Sequence, residues 1–134
     1  MRKYLLLLLS LLICHYGFTQ SYNVIEPELQ EVLNQKGNDM ISVNIILKSE
    51  IVVGDLRYDV KDIDDLKAYR QAVVGELKSF SERSQSEVLS LLKAGEASGD
   101  VKDITTHWLS NMITCTASKE YIYLLSEHID VKIL

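Results

Sequence analysis

Residues 101–134 read VKDITTHWLSNMITCTASKEYIYLLSEHIDVKIL, and this stretch decides the fold. Val101 to Leu109 is rich in β-branched and aromatic residues, which favours a strand. Met112 to Ala117 alternates apolar and polar residues and predicts a second strand directly after the first. Ser110 and Asn111 are turn-forming residues and provide the tight connection between them. We therefore expect two consecutive strands joined by a short turn.

The end of this stretch predicts a helix and a last strand. Ser118 is a suitable N-cap for a helix that runs through Glu127. Its apolar residues recur at helical spacing, which indicates one buried stripe. Asp130 to Leu134 then predicts a final short strand. The residues expected in the buried stripe are Ile122, Leu125 and Ile129.

Upstream of this stretch the sequence predicts one more strand and a long helix. Ile41 to Leu47 alternates with the period of a half-buried strand. From about Asp62 to Leu92, apolar residues recur every three or four positions, which predicts a long amphipathic helix ending before Gly95 and Gly99. Between the two, residues 48–61 contain a Gly54–Asp55 turn signal and predict a loop or small hairpin.

The predicted order is strand, helix, strand, strand, helix, strand. This is the split βαβ or ferredoxin-like pattern of α+β proteins, a four-stranded antiparallel sheet with both helices on one face. Such a sheet leaves its second face uncovered, so that face is solvated or covered by a partner. By alternation, the open face should carry Ser42, Asn44, Ile46, Met112, Thr114 and Thr116.

The amino terminus predicts export. Arg2 and Lys3 precede an apolar run from Tyr4 to Ile13, which is too short for a membrane-spanning helix and matches a signal peptide. We expect residues 1–19 to be removed at the Thr19–Gln20 bond, leaving no membrane segment, and the protein to be periplasmic or extracellular. Lipoprotein processing at Cys14 is the disfavoured alternative, because Ile13 before it is bulky. Residues 20–39 are interpreted as a leader, with a short helix near residues 28–33, and residues 40–134 as the domain.

Composition excludes several classes of function. Without Arg2 and Lys3 the chain carries 12 basic and 19 acidic side chains, a net charge of −7. Nucleic acid is therefore not expected as a partner, because phosphate binding needs a basic face. The six glycines stand singly and form no phosphate-binding loop.

No catalytic or metal site is predicted. Cys115 lies in an alternating strand and is interpreted as a core residue, and neither His107 nor His128 has a supporting catalytic motif. The acidic run near Asp62 lacks the spacing of a calcium loop. We expect no enzyme activity, no cofactor and no metal, although a thiol enzyme using Cys115 and a histidine is kept as an alternative hypothesis.

Several segments resemble the propeptides of subtilisin-type serine proteases. Residues 107–117 (HWLSNMITCTA) are similar to the part of these propeptides where an aromatic residue precedes a Val-Asn-Ala segment and an alternating strand. Residues 120–133 are similar to the family's last helix, turn and final strand. Residues 69–77 and 82–85 are similar to the long helix of the larger bacterial members. The resemblance covers roughly residues 41–134.

This resemblance implies a non-catalytic prodomain-like module that binds a subtilisin-like serine protease, as an inhibitor, a folding chaperone or both. In the family the sheet packs on the protease and an extended tail enters the substrate cleft. Since the sequence ends at Leu134, we expect the sheet face alone to make the contact. A secreted interaction domain that binds itself or a small ligand, and a remnant of a truncated protease precursor, remain alternatives. The expected docking residues are Asn44, Ile46, Asn111, Met112, Thr114 and Thr116.

Overall fold

The structure is a computed structural model that describes residues 24–35, 37 and 39–134. The predicted signal peptide, with Cys14, lies outside these residues. The elements in chain order are α1 (Pro27–Gln35), β1 (Ile41–Leu47), α2 (Val53–Asp59), α3 (Leu66–Ser98), β2 (Val101–His107), β3 (Met112–Ala117), α4 (Lys119–Ser126) and β4 (Val131–Ile133).

The four strands form one antiparallel sheet in the order β2-β3-β1-β4. The predicted α+β class with a four-stranded antiparallel sheet is therefore confirmed. Strand β1 pairs with β3 in a continuous register from Ile41 opposite Ala117 to Ile46 opposite Met112. Strand β2 has a bulge between Lys102 and Thr105, where Asp103 takes a φ of 55°. The register shifts by one residue across the bulge, so that Thr105 lies opposite Thr114 and His107 opposite Met112.

One hydrophobic core lies on one side of the sheet, as the alternation of β1 and β3 predicted. Every second residue of β1, from Ile41 to Leu47, is buried, and the residues between them are exposed. Helices α3 and α4 contribute to the same core, which places both against this side of the sheet. The helical core residues are Val88, Leu92, Ile122 and Leu125.

The long helix begins and ends later than the sequence predicted. Asp65 is its N-cap, since its carboxylate accepts a hydrogen bond from the Ala68 N–H at 2.7 Å. The prediction that Gly95 lies beyond the helix was wrong, because Gly95 is buried inside it. Gly99 ends the helix instead, with a backbone φ of 86° that residues other than glycine rarely adopt. Helix α3 therefore spans 33 residues.

Two further boundaries differ from the predictions. Residues 53–59 form helix α2 rather than a loop or hairpin, and Gly54 and Asp55 lie in its first turn. The first turn of a helix has free N–H groups and a positive dipole end, which suits Asp55. Strand β2 ends at His107 rather than Leu109, because the turn to β3 takes the four residues 108–111.

The described part of the predicted leader belongs to the packed domain. Ile25 and Leu33 are buried in the core, Leu33 completely. The backbone of Leu134 donates to Val24 O and accepts from the Glu26 N–H, at 2.8 and 3.0 Å. The interpretation of residues 24–35 as a mere leader was therefore wrong. The polar residues of α1 face solvent, and this hid its one fully buried leucine from the sequence pattern.

Candidate functional site

The open face of the sheet brings together five of the six predicted docking residues. The register places Asn44 opposite Thr114 and Ile46 opposite Met112, while Thr116 pairs with Ser42 in the next row. All of these side chains alternate with the buried core residues of β1 and β3. The five predicted residues therefore share one surface on the two central strands.

A row of hydrogen bonds crosses three strands on this face. The Thr114 hydroxyl donates to the side-chain oxygen of Asn44 at 3.1 Å, and His107 Nε2 lies 3.0 Å from the same hydroxyl. The Thr114 hydroxyl therefore contacts a side chain on each neighbouring strand. The row fixes the orientation of all three side chains. His107 was not among the predicted docking residues, although its strand position opposite Met112 places it here.

The face becomes apolar and then acidic toward its other edge. Ile46 is 38% exposed and pairs with both Met112 and Ile133. A groove of about 300 Å³ runs between these residues and helix α1, which contributes Leu29 to its lining. Two carboxylates, Glu26 and Glu28, also line the groove, and neither has an ion-pair partner in the part of the chain that the structure describes.

An exposed ion pair marks the neighbouring edge. Lys132 Nζ, on β4, lies 2.7 Å from Glu50 Oε1. The hydrogen bond from Lys132, reinforced by its positive charge, lowers the pKa of the Glu50 carboxyl. Since both groups are largely solvent-exposed, the pair contributes little to stability. It places a fixed positive and negative charge beside the apolar part of the face.

Asn111 does not belong to this face, and its inclusion there was wrong. It is the last residue of the turn before Met112, and its hydrogen bonds to Ser84 and Gln85 direct its side chain toward helix α3. Its side-chain oxygen accepts from Ser84 at 2.8 Å and from Gln85 at 3.2 Å, and its amide donates to Ser49 O at 3.0 Å. Asn111 takes a φ of 47°, a left-handed conformation that asparagine tolerates.

Asn111 is held by a buried polar cluster that the sequence analysis missed. Gln85 and Ser81 of α3 are each only 2% exposed, and the Gln85 amide donates to Ser81 Oγ at 2.7 Å. The same amide reaches Asn111, so it ties helix α3 to the β2–β3 turn. A pattern of apolar residues at helical spacing does not include Gln85. Gln85 nevertheless follows Ser81 by four residues, and this spacing indicates that the two side chains lie on the same face of α3.

Cys115 occupies the opposite side of the sheet from His107. The Cys115 side chain is 1% exposed, and burial raises the pKa of its thiol to about 11. A nucleophilic cysteine needs a lowered pKa and access to solvent. The arrangement therefore gives the alternative hypothesis of a thiol enzyme no geometric support.

The fold brings together one cluster of potential metal ligands that are distant in sequence. Glu87 lies on α3, whereas His128 and Asp130 lie on the connection from α4 to β4. One ligand atom of each lies within 4.8 Å of the others. Glu87 is 41 residues away from His128 in the chain, so no sequence spacing indicates this grouping.

No family model, curated protein or solved structure matches this chain. Among the helices of the described residues, none combines the length and the hydropathy needed to cross a membrane.

Proposed function

We propose that this protein is a non-catalytic module with the ferredoxin-like topology of subtilisin-type propeptides, and that it binds a subtilisin-like serine protease through the open face of its sheet. The observation that carries the proposal is the exposure of this face among the described residues, where Ser42, Asn44 and Ile46 are all accessible. The face presents a fixed polar row, His107, Thr114 and Asn44, beside the apolar pair Ile46 and Met112. Exposed apolar side chains beside ordered polar groups are common in protein interfaces.

The strand order and the position of the helices support this topology. The order β2-β3-β1-β4 places β1 and β3 at the centre, and the buried apolar side chains of α3 and α4 join one core. The segment that resembles these propeptides, residues 107–117, forms the end of β2, the turn and β3. The resemblance and the open face therefore coincide in the same part of the molecule.

In the proposed mechanism the module first assists the folding of the protease and then inhibits it. The sheet face would pack against the surface of the protease, stabilise it during folding and hinder its activity until the module is removed. Hydrogen-bonded side chains lose little conformational entropy on binding, because the row already fixes them. The proposal predicts a separate exported protease as the partner and requires no cofactor.

The test is a titration of the purified protein into subtilisin-like proteases, following peptide hydrolysis and the refolding yield of the denatured protease together. Thr114→Lys and Asn44→Lys place a charge at the centre of the face, and each should weaken inhibition or refolding assistance by about tenfold or more, since an unpaired charge would be desolvated. Gln71→Lys is the matched control, because it adds the same charge at an exposed position of α3.

Equal loss of binding in the Gln71→Lys control would contradict docking through the open face. Wild-type protein that forms no complex and affects neither assay would exclude the protease-binding function for the enzymes tested. Self-association without protease binding, measured by analytical ultracentrifugation, would favour the alternative of a domain that pairs with itself. Circular dichroism of each variant separates loss of binding from loss of folding.

A further inference from the structure

We propose that Glu87, His128 and Asp130 form a binding site for a divalent transition-metal ion, with Zn²⁺ as the representative ion. This site is separate from the open sheet face and does not depend on the proposed function. Its ligand atoms come from two segments of the chain, and all lie within 4.8 Å of one another. One imidazole and two carboxylates are ligand types found in protein zinc sites.

The histidine presents one ring nitrogen to the neighbouring ligand residue. His128 Nδ1 accepts a hydrogen bond from the Asp130 N–H at 3.2 Å. The same nitrogen lies 3.9 Å from Asp130 Oδ2. A metal ion would replace that weak hydrogen bond with a bond to nitrogen. The lone pair of the imidazole and one carboxylate thus lie on the same side of the loop.

The loop that carries two of the ligands is firmly anchored. The His128 N–H donates to Leu125 O at 3.1 Å, and the Val131 N–H donates to His128 O at 3.1 Å. On the other side, Lys48 donates its backbone N–H to Asp130 O at 2.8 Å and its ammonium to Ile129 O at 2.6 Å. A ligand set held by the fold loses less entropy when the metal binds.

The carboxylate of Glu87, the third ligand, can reach the metal by a movement of its side chain alone. Zinc bonds of about 2.0–2.2 Å in tetrahedral geometry place ligand atoms roughly 3–3.5 Å apart, so the largest separation between the ligand atoms must shorten by about 1–2 Å when the metal binds. Glu87 is exposed and has no hydrogen-bond or ion-pair partner among the described residues, so its side chain is free to move. A cation would also relieve the repulsion between the Glu87 and Asp130 carboxylates.

The ligand set selects the class of metal. Calcium binds six to eight oxygen ligands, and magnesium requires octahedral oxygen coordination. Two carboxylates and an imidazole supply too few oxygens for calcium and suit a borderline ion that accepts nitrogen. Bound metal would connect helix α3 to the α4–β4 connection, and binding to the folded state alone would raise the melting temperature.

The test is calorimetric titration of Zn²⁺ and, separately, Ca²⁺ into EDTA-treated protein, in a Cys14→Ser background so that Cys14 supplies no thiolate. We expect one saturable Zn²⁺ site per chain, a raised melting temperature and no comparable Ca²⁺ binding. His128→Gln and Glu87→Gln should each weaken Zn²⁺ binding by about tenfold or more, as losses of metal-site residues do. The matched controls are His107→Gln and the exposed Glu82→Gln, which should bind as the parent does.

Absence of saturable Zn²⁺ binding by the folded parent protein would overturn the proposal. So would Zn²⁺ binding that persists unchanged in His128→Gln and Glu87→Gln, since the ion would then bind elsewhere. Circular dichroism of the metal-free variants confirms that each is folded before its titration is interpreted. The metal titrations do not measure protease binding, so a failure of the metal-site proposal can be distinguished from a failure of the docking proposal.

Discussion

Single residues decide which side of the sheet is polar and accessible and which is apolar and buried. Cys115 and Thr114 are neighbours in β3, yet one is buried in the core and the other lies on the open face. The period of two along a strand causes this separation. Thr114 is held between His107 and Asn44, whereas Cys115 packs as a small apolar residue.

The environment of Cys115 predicts an unreactive thiol. Its pKa of about 11, two pH units above the ordinary value of 9.0, reduces the thiolate fraction at pH 8 about a hundredfold, and burial restricts access further. In a Cys14→Ser variant, iodoacetamide should therefore label the native protein at least about a hundredfold more slowly than the urea-denatured protein, as measured by mass spectrometry. Rapid labelling of the native protein would instead support the thiol-enzyme hypothesis.

The same thiol makes stability depend on alkaline pH. The pKa of Cys115 is raised by burial in the folded state, so the unfolded chain loses the proton first as the pH rises. The stabilising contribution is fully present below about pH 9 and is lost between about pH 9 and pH 11. Unfolding free energies measured at neutral pH are therefore unaffected by this titration.

At the scale of elements, helix α3 depends on a glycine where it crosses α4. Gly95 is buried beneath the Tyr121 ring of α4 and beside Val101 of β2. The Tyr121 hydroxyl donates to Leu91 O, which fixes the ring against the helix, and burial raises the pKa of this phenol. A glycine inside a helix usually costs stability, and here close packing of three elements offsets that cost.

Two glycines of α3 provide a matched test of this packing. A methyl group at Gly95 would lie 2.5 Å from Tyr121 Cζ and 2.6 Å from Val101 Cγ2, whereas one at Gly75 would meet nothing within 4 Å. Gly95→Ala should lower the free energy of unfolding by about 1–3 kcal/mol through overpacking. Gly75→Ala should raise it by about 0.5–1 kcal/mol, because alanine favours the helix. Urea denaturation of both variants measures the difference.

An equal, stabilising effect of the two substitutions would contradict the close contact between α3, α4 and β2. Gly95→Ala protein that does not fold would agree with it, provided that Gly75→Ala folds normally. Because both substitutions change the same residue type within one helix, their intrinsic helix propensities cancel in the comparison. The remaining difference measures packing alone.

At the scale of the whole molecule, the amino-terminal segment completes the domain. Helix α1 contributes Leu33 to the core, and residues 24–26 bind the backbone of Leu134 next to β4. The segment also forms one wall of the groove beside the open face. Removal of its buried side chain should therefore affect the stability of the complete fold.

Leu33→Ala should lower the free energy of unfolding by about 2–5 kcal/mol, as is typical when a fully buried leucine is truncated. The control is Leu66→Ala, since Leu66 is 60% exposed at the start of α3 and its truncation should cost less than about 0.5 kcal/mol. Thermal and urea unfolding, followed by circular dichroism, provide the two values. Comparable small effects would mean that residues 24–35 are a leader after all.

The sequence by itself determined those features of the fold that depend on residues close together in the chain. Alternation fixed β1 to its observed bounds, and Ser118 was correctly predicted as the N-cap of α4, where its hydroxyl accepts from the Tyr121 N–H. The same alternation predicted that Asn44, Ile46, Met112, Thr114 and Thr116 share one face. These features depend on local backbone geometry, which a few neighbouring residues encode.

Only the tertiary structure decided the features that depend on residues far apart in the chain. Position 95 of α3 requires glycine because Tyr121 and Val101 leave no room for a side chain, and no local signal reports that contact. Asn111 turns away from the open face to meet Gln85, and Glu87 reaches the loop of His128. Such groupings arise when the elements pack, since packing rather than sequence spacing determines which side chains meet.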